Sequence, residues 1–242
     1  MRCGTTFLHT YLLEHPKVMA PVRRQLWFFD MSFHRGIGWY RSRFPLKIQR
    51  VLRGRITGEA TPDYLFHREV PGRVARVLPQ VKLLVLLRNP VDRAYSHYWL
   101  EVRQGQETLS FEKAIEAEDL RLRHEGDDIF KGGSYHDSHH RRHSYLARGI
   151  YVDQLLTWMR HFPLERLLIL KSEDLYQNAP KVYGQTLRFL GLPDWEPDHF
   201  EPRNAGEYSD MNPATRRHLT EYFSTHNERL YRLLGRNLGW EP

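Results

Sequence analysis

The apolar run from Val81 to Leu87 (VKLLVLL) restricts the possible folds of this chain more than any other segment. A short and nearly continuous apolar run predicts a strand buried on both faces, as in a parallel sheet covered by helices. Asn89 and Pro90 follow at once, and an asparagine cap before a first-turn proline is typical of a helix start. Arg88 therefore stands at the carboxyl end of a buried strand, where open α/β sheets bind their ligands.

The rest of the chain continues this alternation of strands and helices. Two further strands are predicted at Leu167 to Leu170 (LLIL) and at Arg55 to Glu59 (RITGE). Helices are predicted over residues 6–14, from Pro90 onward, and near 111–124, 150–161, 179–190 and 213–234. Residues 126–144 are polar and contain glycine, which predicts a long surface loop. We therefore expect an α/β fold with a central parallel sheet flanked by helices, in one domain over residues 1–242.

The composition favours a globular protein with a basic surface. There are 36 Lys and Arg against 29 Asp and Glu, which gives a formal charge of +7. Such a surface can attract nucleic acid, anionic membranes, sulfated glycans or a polyanionic cofactor, and charge alone does not choose among them. No apolar run approaches the ~20 residues that a membrane span needs, so no membrane partner is expected. Cys3 is the only cysteine, which excludes an internal disulfide and favours a cytoplasmic protein.

A second constraint lies at the start of the sequence, in Arg2 to Leu8 (RCGTTFL). Gly4 lets the backbone approach a ligand closely, and the N–H groups of Thr5 and Thr6 are expected at a helix N-terminus, which attracts anions. Arg2 adds a permanent cation. An ordinary helix start with two capping threonines would give the same letters. The pattern differs from the Walker A loop, GxxxxGK[ST], which disfavours an ATPase or GTPase.

The segment from Leu86 to Trp99 (LLRNPVDRAYSHYW) offers another place for an anion. Ser96 lies two turns into the predicted helix and could present its hydroxyl to the same group as Arg88. Arg93 is a further candidate for this contact. A capped helix with surface arginines explains the segment equally well when it is taken by itself.

Together, the two segments resemble the nucleotide-binding motifs of sulfotransferases that use 3′-phosphoadenosine 5′-phosphosulfate (PAPS). RCGTT is similar to their 5′-phosphosulfate loop, and the strand, RNPVDRAYS and helix are similar to their 3′-phosphate site. The likeness is greatest to the heparan-sulfate-type and related bacterial members. It continues in the family's order through residues 23–30, 58–66, 147–158 and 190–193, and it ends with PRNAGEY and a helical tail. The resemblance implies a P-loop-like fold, whose first strand is expected upstream of Met1.

The resemblance also implies a site for each end of PAPS and no metal. The 5′-phosphosulfate would be held by the turn residues Arg2, Cys3, Gly4, Thr5 and Thr6. The family often has lysine in place of Arg2, and a cation there neutralises the bridging oxygen as the S–O bond breaks. The 3′-phosphate would be bound by Arg88 and Ser96. Arg203, beside Asn204, resembles a late loop that closes over the nucleotide.

The residues that would face the acceptor depart from the family pattern at two places. Relatives commonly carry a glutamate as general base before an aromatic pair, where this chain has Gln25, which cannot accept a proton. Ala60 stands where a lysine is frequent. Glu59 is the favoured substitute base, with His34 and His9 as alternatives. The acceptor-binding residues that the resemblance implies are Arg24, Gln25, Trp27, His34, Thr61 and Pro62.

Other interpretations stay open at this point. The change at the base allows a catalytically impaired relative that keeps PAPS binding. A nucleotide kinase is disfavoured because the sequence has no Walker A motif. A basic module that binds polyanions is disfavoured because the sequence has no recognisable RNA-binding motif, so no nucleic-acid partner is expected. The cluster HDSHHRRH (136–143) lacks cysteines and contains two arginines, so a cationic loop is favoured over a metal site. The acceptor, a carbohydrate or a small molecule, and the oligomeric state are not fixed by the sequence.

Overall fold

The computed structural model describes residues 1–130, 133–201 and 208–240. The chain opens with helix α1 (Thr5–Glu14), which follows Gly4 and buries Phe7, Leu8, Tyr11 and Leu12 on one face. Two short strands, β1 (Val18–Met19) and β2 (Ile56–Thr57), then pair in parallel. The two ends of the segment that connects them therefore lie next to each other.

The segment that connects β1 to β2 contributes a cluster of buried aromatic side chains. It contains helices α2 (Gly36–Arg41) and α3 (Lys47–Leu52), and β2 is followed by a 3₁₀ turn at Pro62–Leu65 and by α4 (Val70–Val77). Phe28 stacks on Tyr40 with ring centroids 4.6 Å apart, and it meets Phe29 edge-on at 4.9 Å. These rings fix the segment that leads from the aromatic pair towards the proposed acceptor residues.

The longer parallel pair consists of two strands of five residues each. Strand β3 (Leu83–Leu87) runs into α5 (Pro90–Arg103), which is followed by α6 (Phe111–Glu125), α7 (His139–Arg142) and α8 (Tyr151–Met159). Strand β4 (Leu167–Lys171) pairs with β3 in a register that sets Leu83 opposite Leu167 and Leu87 opposite Lys171. It leads into α9 (Ser172–Gln177), α10 (Ala179–Leu190) and the long helix α11 (Pro213–Leu234).

The predicted α/β class with parallel strands between helices is confirmed. The strands of the described ranges form two parallel pairs, and the predicted strand at 55–59 is only two residues long. Helices α10 and α11 match the predicted ranges 179–190 and 213–234. Strand β1 was missed because two residues carry no periodicity. No helix in the described part of the chain is both long enough and apolar enough to cross a membrane.

The predicted long surface loop over residues 126–144 is more regular and more buried than expected. The segment forms short turns and α7, and it buries Tyr135, Ser138, His143 and Ser144. The carboxylate of Glu125 accepts hydrogen bonds from the backbone N–H groups of His139 and His140, at 2.5 and 2.9 Å. A sequence pattern of polar residues does not reveal that such partners lie inside the protein.

Gly149 marks a tight contact at which the fold can be tested. A Cβ atom at this position would lie 2.6 Å from the ring of Phe223 on α11 and 3.1 Å from Pro90. We therefore expect Gly149→Ala to lower the free energy of unfolding by about 1–3 kcal/mol, because a packed ring must shift. Urea denaturation of the purified variant measures this difference.

Gly184→Ala is the matched control for this substitution. Gly184 lies inside α10, and its added Cβ would meet only the end of the Arg188 side chain at 3.5 Å. This variant should be as stable as the original protein or more stable by up to ~1 kcal/mol, since alanine favours a helix interior over glycine. Equal stabilities of the two variants would contradict the packing described for Gly149.

Candidate anion-binding and active site

The turn before α1 has the geometry of an anion cradle. Arg2 and Gly4 both adopt left-handed backbone conformations, with φ of 64° and 83°. A side chain on Gly4 would press against Tyr176, whose hydroxyl lies 3.1 Å from the position of a Cβ, so glycine is required for conformation and for space. Gly4 gives no side-chain cap to α1, which leaves the first N–H groups of the helix for a ligand.

The second segment is held at the end of β3 by capping and by hydrogen bonds with Glu173 and Tyr151. Asn89 caps α5 by accepting a hydrogen bond from Val91 N at 2.9 Å. Its own N–H donates to Glu173 Oε1 at 2.7 Å, and the hydroxyl of Tyr151 donates to the carbonyl oxygen of Arg88 at 2.9 Å. These contacts fix the backbone of Arg88 at the carboxyl end of the strand, as the sequence predicted.

The two predicted anion sites meet in the structure. Arg2 Nε donates a hydrogen bond to Ser96 Oγ at 2.9 Å, and Arg88 Nη1 lies 3.4 Å from the carbonyl oxygen of Arg2. Ser172, at the end of β4, donates to the carbonyl oxygen of Cys3 at 3.1 Å. The turn, the end of β3 and the end of β4 therefore form one site, although their residues are distant in sequence.

The site is rich in positive charge. Burial lowers the pKa of Arg2, and the nearby guanidinium groups of Arg103 and Arg88 lower it further. Cations that are brought together and partly removed from water are stabilised by an anion between them. The electrostatics of the site thus suit a ligand that carries several negative charges.

Arg24 connects the anion cradle with the predicted acceptor residues. Its Nη1 donates to Thr6 Oγ1 in the first turn of α1, and its carbonyl oxygen accepts from Ala60 N at 2.8 Å. Thr61 Oγ1 accepts from the backbone N–H groups of Leu26 and Trp27, at 3.2 and 3.5 Å. The segments around residues 24–27 and 59–62 therefore form one wall next to the anion cradle.

Glu59 lies in this wall with most of its hydrogen-bonding capacity in use. Its Oε2 accepts from Leu26 N at 3.1 Å and from Thr61 Oγ1 at 2.7 Å, and its Oε1 lies 3.1 Å from the hydroxyl of Tyr64. Burial raises the pKa of Glu59 above its ordinary value, while these hydrogen bonds oppose the rise. The carboxyl group therefore ties the wall together, and its raised pKa suits a group that exchanges protons.

The other predicted acceptor and base residues are placed less uniformly. Gln25 and Trp27 are half-buried, Trp27 with a left-handed φ of 46°, whereas His34 is exposed on a 3₁₀ turn. Pro62 begins the turn that follows Glu59 and Thr61. Burial, with a contribution from the charge of Arg24, lowers the pKa of His9 to about 4. Its Nε2 is buried without a hydrogen-bond partner among the described residues.

The two remaining candidates for phosphate contacts are Arg203 and Arg93. Arg203 and its neighbour Asn204 lie outside the described residues. Arg93, which the sequence suggested as a further candidate, is fully buried and donates to the carbonyl oxygen of Tyr145. Ser96 follows three residues later on the same buried face of α5, so Arg93 lies beside the turn residues Met1 and Cys3 and stays a candidate.

The family follows from comparison of the whole chain. Residues 1–203 match the family model described as a sulfotransferase domain. The chain belongs to this family.

Individual members of the family agree with this assignment. Human heparan sulfate glucosamine 3-O-sulfotransferase 6 is 31% identical over 98% of this chain and 70% of that protein. The membrane-associated sulfotransferase kil1 of Dictyostelium discoideum is 27% identical over 100% of this chain and 65% of that protein. Against kil1 and the mouse 3-O-sulfotransferases 3B1 and 3A1, the chain spans 62 to 65% of the relatives' length.

The fold agrees as well. The crystal structure of a sulfotransferase from Alicyclobacillus acidocaldarius is similar with a TM-score of 0.79 and 28% sequence identity. The match covers 99% of this chain and 94% of that one. The resemblance stated from the motifs and the P-loop-like fold that it implied are therefore confirmed.

Sequence reasoning missed several groups that lie near the predicted site residues. Ser172, Glu173 and Tyr176 all follow β4, and the rule that ligands bind at the carboxyl ends of parallel strands could have found them. Asp30 is buried with its Oδ2 unpartnered within the described ranges, and burial together with the charge of Asp63 raises its pKa to about 7. Only its burial in the folded protein sets Asp30 apart from an ordinary surface aspartate.

The histidine cluster forms ordinary polar contacts. His140 Nδ1 lies 2.9 Å from Glu125 Oε2, and His139 and His143 approach each other at 2.8 Å through their Nδ1 atoms. Across residues 1–130, 133–201 and 208–240, no group of three or more His, Cys, Asp or Glu side chains is arranged to hold a metal ion.

An ion pair between Arg148 and Asp63 anchors the wall that contains Glu59. Arg148 Nη1 lies 3.0 Å from Asp63 Oδ1, and both side chains are almost completely buried. Arg148 also donates to Ser144 Oγ at 2.7 Å and to Tyr135 Oη at 3.1 Å, and its guanidinium covers the ring of Phe66. The pair thus joins the turn after Thr61 to the segment before α8.

Asp63→Asn tests this anchor. The change leaves the buried Arg148 cation without its counter-charge, so we expect a loss of about 3–5 kcal/mol in the free energy of unfolding. The control, Asp153→Asn, removes an exposed ion pair. Asp153 lies 2.6 Å from Arg229, and the two side chains are 57% and 40% exposed. That control should cost less than about 1 kcal/mol. Similar losses in guanidinium denaturation would show that the Asp63 pair is not an anchor.

Proposed function

We propose that this protein transfers a sulfuryl group from PAPS to a hydroxyl or amine of an acceptor and releases 3′,5′-adenosine bisphosphate. The observation that carries this proposal is the meeting of the turn before α1 with the strand-to-helix segment after β3, through the hydrogen bond from Arg2 to Ser96. A ligand that carries an anionic group at each of two positions suits such a pair of sites. PAPS has a phosphosulfate at its 5′ position and a phosphate at its 3′ position.

The residues of the two sites fit the chemistry of this donor. The cradle offers free N–H groups, the hydroxyls of Thr5 and Thr6 and the cation of Arg2, in a turn that only glycine at position 4 permits. In our assignment these groups and Cys3 bind the 5′-phosphosulfate, and Arg88 and Ser96 bind the 3′-phosphate. Arg203 is proposed to close over the nucleotide, as the family resemblance implies.

Arg2 is assigned the main electrostatic role in the reaction. PAPS supplies an activated sulfuryl group that is attached to a phosphate leaving group. Negative charge develops on the bridging oxygen as that group departs, and a fixed cation and helix N–H groups stabilise such charge without reorganising. The contact of Arg2 with Ser96 holds its guanidinium in the site before any ligand binds.

Glu59 is assigned as the general base that takes the proton of the acceptor. Its carboxyl lies beside Thr61 in the wall next to the cradle, and burial raises its pKa towards the range in which a base works at neutral pH. His9 is the alternative, because its low pKa keeps the imidazole neutral and its Nε2 has no hydrogen-bond partner among the described residues. Gln25 can orient an acceptor by hydrogen bonding but cannot replace a base.

The acceptor class follows from the relatives and stays part of the proposal. The human and mouse relatives are named for sulfation of heparan sulfate glucosamine, so a carbohydrate acceptor is proposed first and a small molecule second. Arg24, Gln25, Trp27, His34, Thr61 and Pro62 are proposed to face it. The changes at Gln25 and Ala60 lie among these residues, so the acceptor is expected to differ in detail from that of the relatives.

Nucleotide titration tests the paired anion sites. In isothermal calorimetry we expect 3′,5′-adenosine bisphosphate to bind, and AMP and ATP to bind much more weakly because neither carries a 3′-phosphate. Arg88→Ala should weaken bisphosphate binding roughly 10- to 100-fold, the value of a hydrogen bond to a charged group. Arg160 is exposed at the C-terminal end of α8, and Arg160→Ala should leave the affinity for the bisphosphate unchanged.

Two results of this titration carry different meanings. Equal affinities of Arg88→Ala and the original protein would overturn the assignment of the 3′-phosphate site. Tight and selective bisphosphate binding without any consumption of PAPS across an acceptor panel would favour the catalytically impaired relative.

The pH dependence of transfer tests the base. A base works only when it is deprotonated, so activity should fall as the pH drops through the raised pKa of Glu59, at a higher pH than for an ordinary glutamate. Glu59→Gln should lower kcat about 10²- to 10⁴-fold and remove this acidic limb. Glu69→Gln, at an exposed position, should change neither. An acidic limb near pH 4 that persists in Glu59→Gln and disappears in His9→Gln would transfer the role to His9.

A further inference from the structure

The positive charge of the protein is concentrated in residues 15–58. This segment has ten Lys or Arg and one acidic residue, which gives it +9, whereas the other 198 residues have 26 basic and 28 acidic side chains, which gives −2. The single acidic residue is Asp30, which is buried. The whole net charge of +7 therefore originates in less than a fifth of the chain.

The fold brings distant parts of this segment together. Strands β1 and β2 bring its two ends together, and Lys17 Nζ donates to the carbonyl oxygen of Arg53 at 3.2 Å. Within the segment, Val22 N donates to the carbonyl oxygen of Arg43 at 2.8 Å. The side chains of Arg23, Arg41, Lys47 and Arg53 are exposed around these contacts.

The same segment exposes aliphatic side chains that globular proteins normally bury. Ile48, Val51 and Leu52 occupy positions i, i+3 and i+4 of α3, so they share one face, and they are 64%, 66% and 79% exposed. Val22 and Leu46 are 65% and 66% exposed. These five are half of the ten large hydrophobic residues that stand exposed within the described ranges. We call residues 15–58, with these aliphatic and basic side chains, the basic–apolar surface.

Charge and apolarity together select one kind of partner. An anionic bilayer attracts lysine and arginine at its surface and takes aliphatic side chains into its headgroup and acyl boundary. An anionic polysaccharide would use the charges and leave the aliphatic face in water, and a second copy of this chain would be repelled by a like charge of +9. We propose that the basic–apolar surface docks this protein on an anionic lipid bilayer.

This docking is peripheral and does not depend on the proposed transfer reaction. The surface is continuous with the site through Arg24, which contacts Thr6 of α1.

Vesicle co-sedimentation tests the proposal. The protein should sediment with vesicles of phosphatidylcholine and phosphatidylglycerol but not with vesicles of phosphatidylcholine alone, and added salt should weaken the binding. Leu52→Gln should weaken it at least about fivefold, because the most exposed apolar side chain of the face is lost. Leu120→Gln is the matched control, since Leu120 is 63% exposed on α6, outside the surface, and it should bind like the original protein.

The charges are tested by the same assay. Lys47→Gln and Arg53→Gln should each weaken binding about fivefold, which corresponds to one cation near an anionic membrane, whereas Arg160→Gln should not. Thermal unfolding of each variant shows that it is folded, as expected for exposed positions. Calorimetry with 3′,5′-adenosine bisphosphate should be unchanged in all of them, which separates docking from the nucleotide site.

Three outcomes would overturn the proposal. The first is an absence of binding to the anionic vesicles at low salt. The second is binding to heparin, but not to vesicles, with an affinity that Leu52→Gln leaves unchanged, which would identify a polysaccharide site. The third is a dimer that forms in sedimentation velocity and is dissolved by Leu52→Gln, which would identify an interface between two copies.

Discussion

The hydrogen bond from Arg2 to Ser96 is the contact on which the organisation of the site depends. It joins the turn before α1 to the helix after β3, two segments that lie more than ninety residues apart. Because both segments carry a cation and a hydroxyl or backbone donor, their meeting places the groups of the two predicted anion sites side by side. Much of the surrounding structure serves this meeting: Glu173 and Tyr151 fix the end of β3, and Ser172 fixes the turn.

A different kind of interaction builds the wall that contains Glu59. Glu59, Thr61 and Tyr64 form a network of hydrogen bonds that also receives the backbone of Leu26. Such a network holds its members rigidly only if its far end is anchored, and the buried pair of Arg148 and Asp63 supplies that anchor. The same burial that makes the network rigid raises the pKa of Glu59. Structural support and suitability for proton transfer therefore have one cause here.

The sequence revealed the parts of this arrangement that are local. The apolar run before Arg88, the cap at Asn89 and the glycine of the turn each have a short-range physical reason, and the structure contains all three. The resemblance of the motifs to those of sulfotransferases indicated the family correctly. Burial that depends on contacts between distant segments could not be predicted from local sequence. The inward direction of Arg93, the packing of residues 126–144 and the unpartnered carboxyl oxygen of Asp30 each depend on distant segments. The exposed face of α3 was also missed, since apolar residues at positions i, i+3 and i+4 ordinarily predict a buried face.

The central claim is that one nucleotide with two anionic groups bridges the turn and the end of β3. A crystal structure of the protein with 3′,5′-adenosine bisphosphate tests it most directly. The account predicts that the 5′-phosphate accepts hydrogen bonds from the backbone N–H groups of Thr5 and Thr6, while the 3′-phosphate contacts Arg88 and Ser96. A bisphosphate bound with either phosphate away from these residues, or bound elsewhere on the protein, would contradict it.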